Sequence, residues 1–417
     1  MKKRNITLLM LVALAIITFL DRISIAVAGP RIQSELHIPP ERWGWILGAF
    51  VLAYGLFEIP TGAMGDRSGQ RKVITRIVLW WSAFTALTGA MTGFRGLLLV
   101  RFLFGAGEAG AYPNASGVIA RWFPVREHAR SQGFIWAASR FGGALSPLLV
   151  VPLQAAFGWR AAFFILGGIG AVWAIVWSLW YHDRPEDQPG ITPEELAEAP
   201  ASGDRPRHAA LPWSVLAGSS QIRLIVAMYW CYAWGSWFFF AWFPTYLVKS
   251  AGFTEKEMGF IAALPFLMGT LGNLVGGVLS DRLVARWGLR LGRVVPGSLS
   301  LAVSAALLIA MTMTHNKTAI VILSSFGFGI ADLMLPVAWA ICLDIGRDYA
   351  GAVTGTMNTA GQLGGFVCSV AFGYIVQATG SYSVPVWLIA GLVLVAALLF
   401  TRIDPTTPLV SGEQSAG

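Results

Sequence analysis

Long apolar runs broken by short polar turns dominate this chain of 417 residues. Twelve can be placed, at about 6–29, 43–65, 73–93, 97–120, 131–156, 160–181, 222–248, 257–280, 294–314, 318–343, 351–378 and 382–402. Each is close to the roughly 20 residues that a helix needs to cross a hydrocarbon layer ~30 Å thick. They are too long and too continuous for the strands of a membrane barrel. In hydrocarbon the backbone must satisfy its own hydrogen bonds within the segment, which leaves the helix as the form. The pattern predicts an all-α membrane protein of twelve transmembrane helices in two six-helix halves, residues 1–181 and 220–417, joined by a linker at 182–219.

Composition agrees: 55% of residues are hydrophobic and 12% charged, and the mean hydropathy is +0.62. A soluble chain carries about 25% charge. The first run follows Lys2, Lys3 and Arg4 and ends near Ala26-Val-Ala28, so it has the outline of a signal peptide. Losing it would leave five spans in the first half against six in the second, and it is read as the first span. The linker is polar and rich in Pro, Glu and Asp, the composition of a solvated tether. Within it Thr192-Pro-Glu-Glu195 has the cap, proline and acids of a helix start, so a short surface helix is also open.

With the N-terminus cytoplasmic, the inner loops and tails hold 20 of the 30 Lys and Arg residues and the outer loops 7. That bias places both termini inside. The net charge of +8 is therefore topological; scattered over short loops, it forms no basic face for nucleic acid. Cys231, Cys342 and Cys368 fall within spans at spacings that make no metal or redox motif. The five histidines fall in loops or at span ends. No metal, cofactor or catalytic constellation is expected, and the chain is not read as an enzyme.

Three arginines remain inside the spans, Arg22, Arg101 and Arg140, together with the acids Asp21, Glu58, Glu108 and Asp332. Each costs roughly 2.5–3.5 kcal/mol at a helix centre, so by default such groups face a cavity or one another and mark a pathway. For any one of them a buried structural ion pair is the alternative. Arg101 and Glu108 are seven residues apart, on nearly one face but about 10.5 Å distant along the axis, too far for a direct pair. At a rise of about 1.5 Å per residue, Asp21, Arg22 and Glu108 share a depth and converge if both helices face the centre. Arg140 and Asp332 also share a depth, in opposite halves.

The second run closes on Gly62-Ala-Met-Gly65-Asp66-Arg67-Ser-Gly69-Gln-Arg71-Lys72, and Gly277-Val-Leu-Ser-Asp281-Arg282 recurs 215 positions later. This Gly-x-x-x-Asp-Arg turn resembles the signature loop of the major facilitator superfamily of secondary transporters, whose halves are parallel repeats. Leu20-Asp21-Arg22, Arg101-Phe-Leu-Phe-Gly105-Ala-Gly107-Glu108-Ala-Gly110-Ala-Tyr-Pro113, Asp183-Arg-Pro185-Glu186 and Trp242-Phe-Pro244-Thr-Tyr246 resemble the anion:cation symporters within it. That family includes carriers of galactonate, glucarate and hexuronates, and relatives of sialin and the vesicular glutamate transporters.

The resemblance implies roles. Arg22 would hold the substrate carboxylate, Asp21 and Glu108 would carry the coupling protons, and Arg101 would tune them. Asp66, Arg67 and Arg71 with Asp281 and Arg282 would form a conformational latch, with Asp66 at a helix N-terminus or beside an arginine such as Arg121. Tyr54, Asn358 and Gln362 would meet substrate hydroxyls, although for Asn358 and Gln362 interhelical hydrogen bonds are equally open. Glu58, Arg140 and Asp332 receive no role. The seventh run has no second substrate-facing arginine, which suits a monocarboxylate. Phe141-Gly-Gly-Ala-Leu-Ser-Pro147 lacks the Gly-Pro pattern of the drug:proton antiporters, which favours symport. The expected function is proton-coupled uptake of a small organic anion, a sugar acid such as an aldonate or hexuronate, by a monomer whose partners are the anion, protons and the bilayer. Another carboxylate, or a non-transporting sensor, is the alternative.

Overall fold

A computed structural model describes residues 2–198, 218–346, 350–407 and 409; the side chains of Ile59, Ala63, Asp66, Val125, Arg126, residues 128–130 and residues 350–352 lie outside the described set. Among the described residues there are helices and turns and no strands. Eight helical segments are long and apolar enough to cross a membrane. Two of these, Ser131–Trp180 and Glu255–Met313, each contain two spans. Their helices fold back at Gly158 (φ 80°, ψ 158°) and Gly288 (φ 80°, ψ 169°), in a backbone region that only glycine enters freely. With Pro40–Ser68 and the broken helix Phe94–Glu108 and Ala111–Trp122 as the second and fourth spans, the twelve predicted spans are accounted for.

The ends differ from the hydropathy reading. The first span runs Lys3–Glu35 and carries Pro30 inside its last turns, so it extends beyond the apolar run at both ends. The fourth span is interrupted directly after Glu108 and the tenth directly after Asp332, where Lys317–Asp332 gives way to Met334–Gly346. In the seventh, Ser220–Trp237 passes through a π-turn at Phe238–Trp242 into Phe243–Lys249. Hydropathy averages over such breaks because the flanking residues remain apolar.

The chain divides into two compact units, Met1–Arg205 and Pro206–Gly417. In the first, the opening span packs along the Val125–Trp180 hairpin and the second span along Phe94–Glu108. The second and fourth spans meet at Gly105, where a Cβ would lie 2.4 Å from the Phe50 carbonyl oxygen. Gly329 has the corresponding place in the second unit: its Cβ would fall 2.7 Å from the Met268 Cβ and 2.9 Å from the Met268 carbonyl oxygen. Small residues at such crossings let backbones approach where no hydrophobic force separates protein from lipid.

In the stretch read as a tether, Pro185–Asp187 forms a 3₁₀ turn and Pro193–Glu198 a short helix. Thus 193–198 has regular structure at the predicted helix start; residues 199–217 lie outside the described set.

Gly105→Ala should lower stability by about 1–3 kcal/mol, because the added methyl meets backbone that cannot turn aside. Gly168→Ala, where nothing lies within 4 Å of the new Cβ, should be neutral or slightly stabilising. Thermal unfolding of the two purified variants in detergent checks the difference, and equal melting temperatures would contradict it.

Candidate functional site

Deep within the spans of the first unit, Asp21, Arg22, Arg101 and Glu108 are buried, at 1%, 9%, 3% and 0% exposed. Arg22 Nε donates to Glu108 Oε1 at 2.9 Å, and Arg22 Nη2 donates to the same oxygen. Glu108 Oε2 is buried without a hydrogen-bond partner. The Arg22 guanidinium carbon stands 4.7 Å from the Phe19 ring centroid, 5.1 Å from that of Phe50 and 4.8 Å from that of Tyr54. The pair is thus walled by π-faces, each worth about 0.5–2 kcal/mol to a cation. Next along the first span, Asp21 Oδ2 accepts a long 3.5 Å contact from Thr85 Oγ1, and its Oδ1 has no partner.

Arg101 lies one side chain away. Its guanidinium carbon is 5.0 Å from the Phe50 ring and 4.5 Å from the Phe104 ring, and its Nε is buried without a hydrogen bond. The structure therefore brings Asp21, Arg22, Tyr54, Arg101 and Glu108 into one region of the first unit. Arg22 bonds Glu108, and Arg101, seven residues from Glu108 along the helix, does not. Sequence reasoning missed the aromatic wall of Phe19, Phe50 and Phe104, and Tyr112, whose hydroxyl shares a 2.7 Å hydrogen bond with Ser139 and whose ring stacks on Trp136. Tyr112 sits inside the Gly-rich motif; the phenylalanines had no signal beyond general apolarity.

In the second unit Asp332 is 0% exposed. Tyr232 Oη donates to its Oδ1 and Asn273 Nδ2 to its Oδ2, both at 3.0 Å. Groups from the seventh and eighth spans thus hold the acid of the tenth, as Arg22 of the first span holds Glu108 of the fourth, and by the 215-residue repeat Asn273 corresponds to Glu58. Both acids immediately precede a break in their span. Asn358 and Gln362 are half-buried on Ala350–Thr379 in this unit. In the first unit Glu58 is half-buried one turn beyond Tyr54, and Arg140 is half-buried in the fifth span. Among the described residues no group of three or more His, Cys, Asp or Glu could hold a metal ion.

Residues 11–369 match the profile of the Major Facilitator Superfamily. The chain belongs to that superfamily. It is 35% identical to a probable sulfoacetate transporter of Cupriavidus necator, over 100% of this chain and 97% of that protein. It is 29% identical to a probable galactarate/D-glucarate transporter of Escherichia coli K12, over 96% and 93%. Its identity to a D-galactonate transporter of Escherichia coli O6:H1 is 30%, over 96% and 95%. Among solved structures, a bacterial homolog of the human lysosomal transporter Spinster, inward-facing and occupied, matches with a TM-score of 0.81 at 18% identity, covering 97% of both chains. The last likeness is one of fold.

In the first unit the superfamily's signature loop joins Pro40–Ser68 to Gln70–Ala90. Asp66 has its side chain outside the described set, and Arg67 and Arg282 are exposed. Arg121, offered as one partner for Asp66, lies 3.7 Å from Asp183. Asp183 Oδ1 also accepts the Arg71 main-chain N–H at 3.0 Å, in the first turn of Gln70–Ala90, where a carboxylate meets unsatisfied donors. The Arg71 side chain turns to the Ser178 carbonyl, with Nε at 2.8 Å. In the second unit Arg293 Nη1 reaches Asp281 Oδ1 at 2.9 Å and Arg293 Nε reaches Asp344 Oδ2 at 3.1 Å. Asp183 stood out only as part of a family motif, and Arg293 and Asp344 did not stand out at all, because charges in polar loops have no distinguishing burial.

The linker helix docks at the start of the first span. Glu195, 4% exposed, accepts the Lys3 N–H at 3.0 Å and the Arg4 N–H at 2.6 Å, capping the first span from 192 and 191 residues away in sequence. Glu198 pairs with Lys2 Nζ at 3.1 Å and Arg4 Nη1 at 2.5 Å, and the same arginine reaches Glu127 at 3.4 Å. The Lys2 hydrogen bond, then Arg4, holds the Glu198 carboxyl below its usual range. A depressed carboxyl contributes fully above its unfolded value and loses that contribution only as pH falls through the lowered one. Docking should therefore persist from neutral to mildly acidic pH and fail in stronger acid. Hydrogen exchange at the Lys3 and Arg4 amides checks this: protection should hold across the mild range and fall in Glu195→Ala at every pH.

Proposed function

We propose that the chain is a proton-coupled symporter that takes up a small organic anion by alternating access in a bacterial inner membrane. A sugar acid, an aldonate or hexuronate, is the first class to test. The relatives named for galactarate/D-glucarate and D-galactonate support it. The relative named for sulfoacetate supports a second class, a short carboxylate of another kind.

One contact carries this function: Arg22 spends two donors on a single oxygen of Glu108. A guanidinium offers a planar fork for a carboxylate, and Glu108 occupies it as a substrate carboxylate would. The substrate and Glu108 then compete for Arg22. A displaced Glu108 would be a buried carboxylate without its cation, which is far costlier than the same group carrying a proton. Substrate entry and protonation are thereby tied to one another through Arg22. Asp21, one residue away with a partnerless Oδ1, is the second proton site. Tyr54, Asn358 and Gln362 supply hydroxyl and amide groups for the substrate's polar body. Asp66, Arg67, Arg71, Asp281 and Arg282 bias the two end states without touching the substrate.

Arg22→Ala should abolish binding, and Arg22→Lys, which keeps the charge and loses the fork, should weaken it by about tenfold or more. Because removing one partner of a buried pair costs about 3–5 kcal/mol, Arg22→Ala should also unfold at lower temperature, and adding Glu108→Gln should restore stability but not binding. Normal affinity in Arg22→Lys would make Arg22 a structural residue.

Coupling is tested in proteoliposomes with Asp21→Asn and Glu108→Gln. Each should lose uphill accumulation driven by a pH gradient, while counterflow, which needs no net proton cycle, survives in at least one. The two acids titrate as a coupled set, so the variants need not separate into distinct roles. Uphill accumulation by both would place coupling elsewhere.

A further inference from the structure

Arg101 is a buried cation near Asp21 and Glu108 that forms no direct ion pair with either. Its guanidinium rests on the Phe50 and Phe104 rings, its Nε lacks an acceptor, and no ion pair to a described residue engages it. A role confined to packing would not need an arginine, since a leucine or methionine fills the space between two phenylalanines without a desolvated charge. A role confined to balancing the acids leaves unexplained why Glu108 bonds Arg22 alone and Asp21 only Thr85.

The geometry around Phe50 relates the two arginines. Its ring centroid lies 5.1 Å from the Arg22 carbon and 5.0 Å from the Arg101 carbon, so the two guanidiniums are no farther apart than the sum of those distances. A guanidinium carbon sits about 4 Å from the central atom of an anion it holds by paired hydrogen bonds. The ceiling on their separation keeps the two cations close enough for one compact anion, its acidic groups separated by one or two carbons, to reach both.

We propose that Arg101 is a second anion-binding group, and that the preferred substrates are short molecules with two acidic groups, one held by Arg22 and the other by Arg101. This rests on the reading of Arg22 as the carboxylate anchor and narrows it from any small organic anion to a compact diacid, such as a sulfonated or phosphonated carboxylate or a short dicarboxylate. It also changes the proton count. Asp21, Arg22, Arg101 and Glu108 sum to zero when ionised, so a bound dianion leaves the site neutral only if both acids take a proton, whereas a monoanion requires one.

The test is binding to the full-length protein in lipid nanodiscs, with sulfoacetate and malonate as diacid probes and acetate and gluconate as monoacid probes. Wild type should prefer the diacids by about tenfold or more, the worth of a charge-assisted pair. Arg101→Gln should weaken the diacids at least tenfold more than the monoacids, and proton uptake on adding sulfoacetate in weak buffer should exceed that on adding acetate. Arg101→Lys keeps a charge without the fork; it should retain part of the preference and serves if the Gln variant does not fold. Equal weakening of both classes in the Gln or Lys variant would overturn the assignment and make Arg101 a group that acts through Asp21 and Glu108. A wild type that binds monoacids as tightly as diacids overturns it as well, while leaving the Arg22 anchor intact. A wild type that binds none of the four overturns the anchor and this inference together.

Discussion

The contact between Arg22 and Glu108 constrains the first unit. A buried guanidinium and a buried carboxylate are each costly alone, and pairing them offsets part of that cost. These two come from the first and fourth spans, 86 residues apart, and both are buried. Meeting requires close helix approach, which Gly105 permits by letting the fourth span touch the backbone of the second at Phe50. Phe50 in turn faces both arginines. The pairing is incomplete, because both donors converge on one oxygen and leave the other bare. A contact serving stability alone would use both oxygens, as a bidentate fork allows.

The second unit is an internal control. It keeps the glycine at the helix crossing, Gly329 for Gly105, and the break in the span after a buried acid, Asp332 for Glu108. It does not keep the charges: Asp332 is bonded by Tyr232 and not by an arginine, and Ser325 stands seven residues before Asp332 where Arg101 stands before Glu108. Asp332 is held by a hydroxyl and an amide at 3.0 Å. The six-span architecture thus forms without the two arginines of the first unit. Their burial, at several kcal/mol each on insertion scales, is not a requirement of the fold, which weighs against reading them as structural ion pairs.

What the sequence disclosed follows from what one-dimensional patterns encode. Hydropathy located the twelve spans because crossing a bilayer demands length and apolarity in each segment by itself. It blurred the breaks after Glu108 and Asp332 and the π-turn at Phe238–Trp242, where the backbone changes course and the side chains remain apolar. Depth counting placed Asp21, Arg22 and Glu108 together because helical rise is fixed. It could not say which acid would bond Arg22, nor that Arg101 would rest on Phe50 and Phe104, since both depend on helix rotation and on which rings intervene. At the spans' ends the polar loops offered many charges and no depth scale. Asp183 therefore went unnoticed as the partner of Arg121 and Arg71, and so did the docking of Glu195 on the first span.

Charge balance ties these observations together more tightly than any one hydrogen bond. Two arginines and two acids enclosed by aromatic rings are neutral as a set, and at low effective dielectric a single unbalanced charge interacts with the rest by several kcal/mol over short distances. Such a set resists the entry of an anion alone and of a proton alone, because each leaves it charged. Entry of both leaves it neutral. Co-transport requires no dedicated machine under that condition, only a site dry enough that neutrality is enforced and acids placed where they can yield their arginine to a competitor. On the proposed reading, the aromatic wall supplies that dryness and the single-oxygen contact to Glu108 leaves the arginine open to a competing anion.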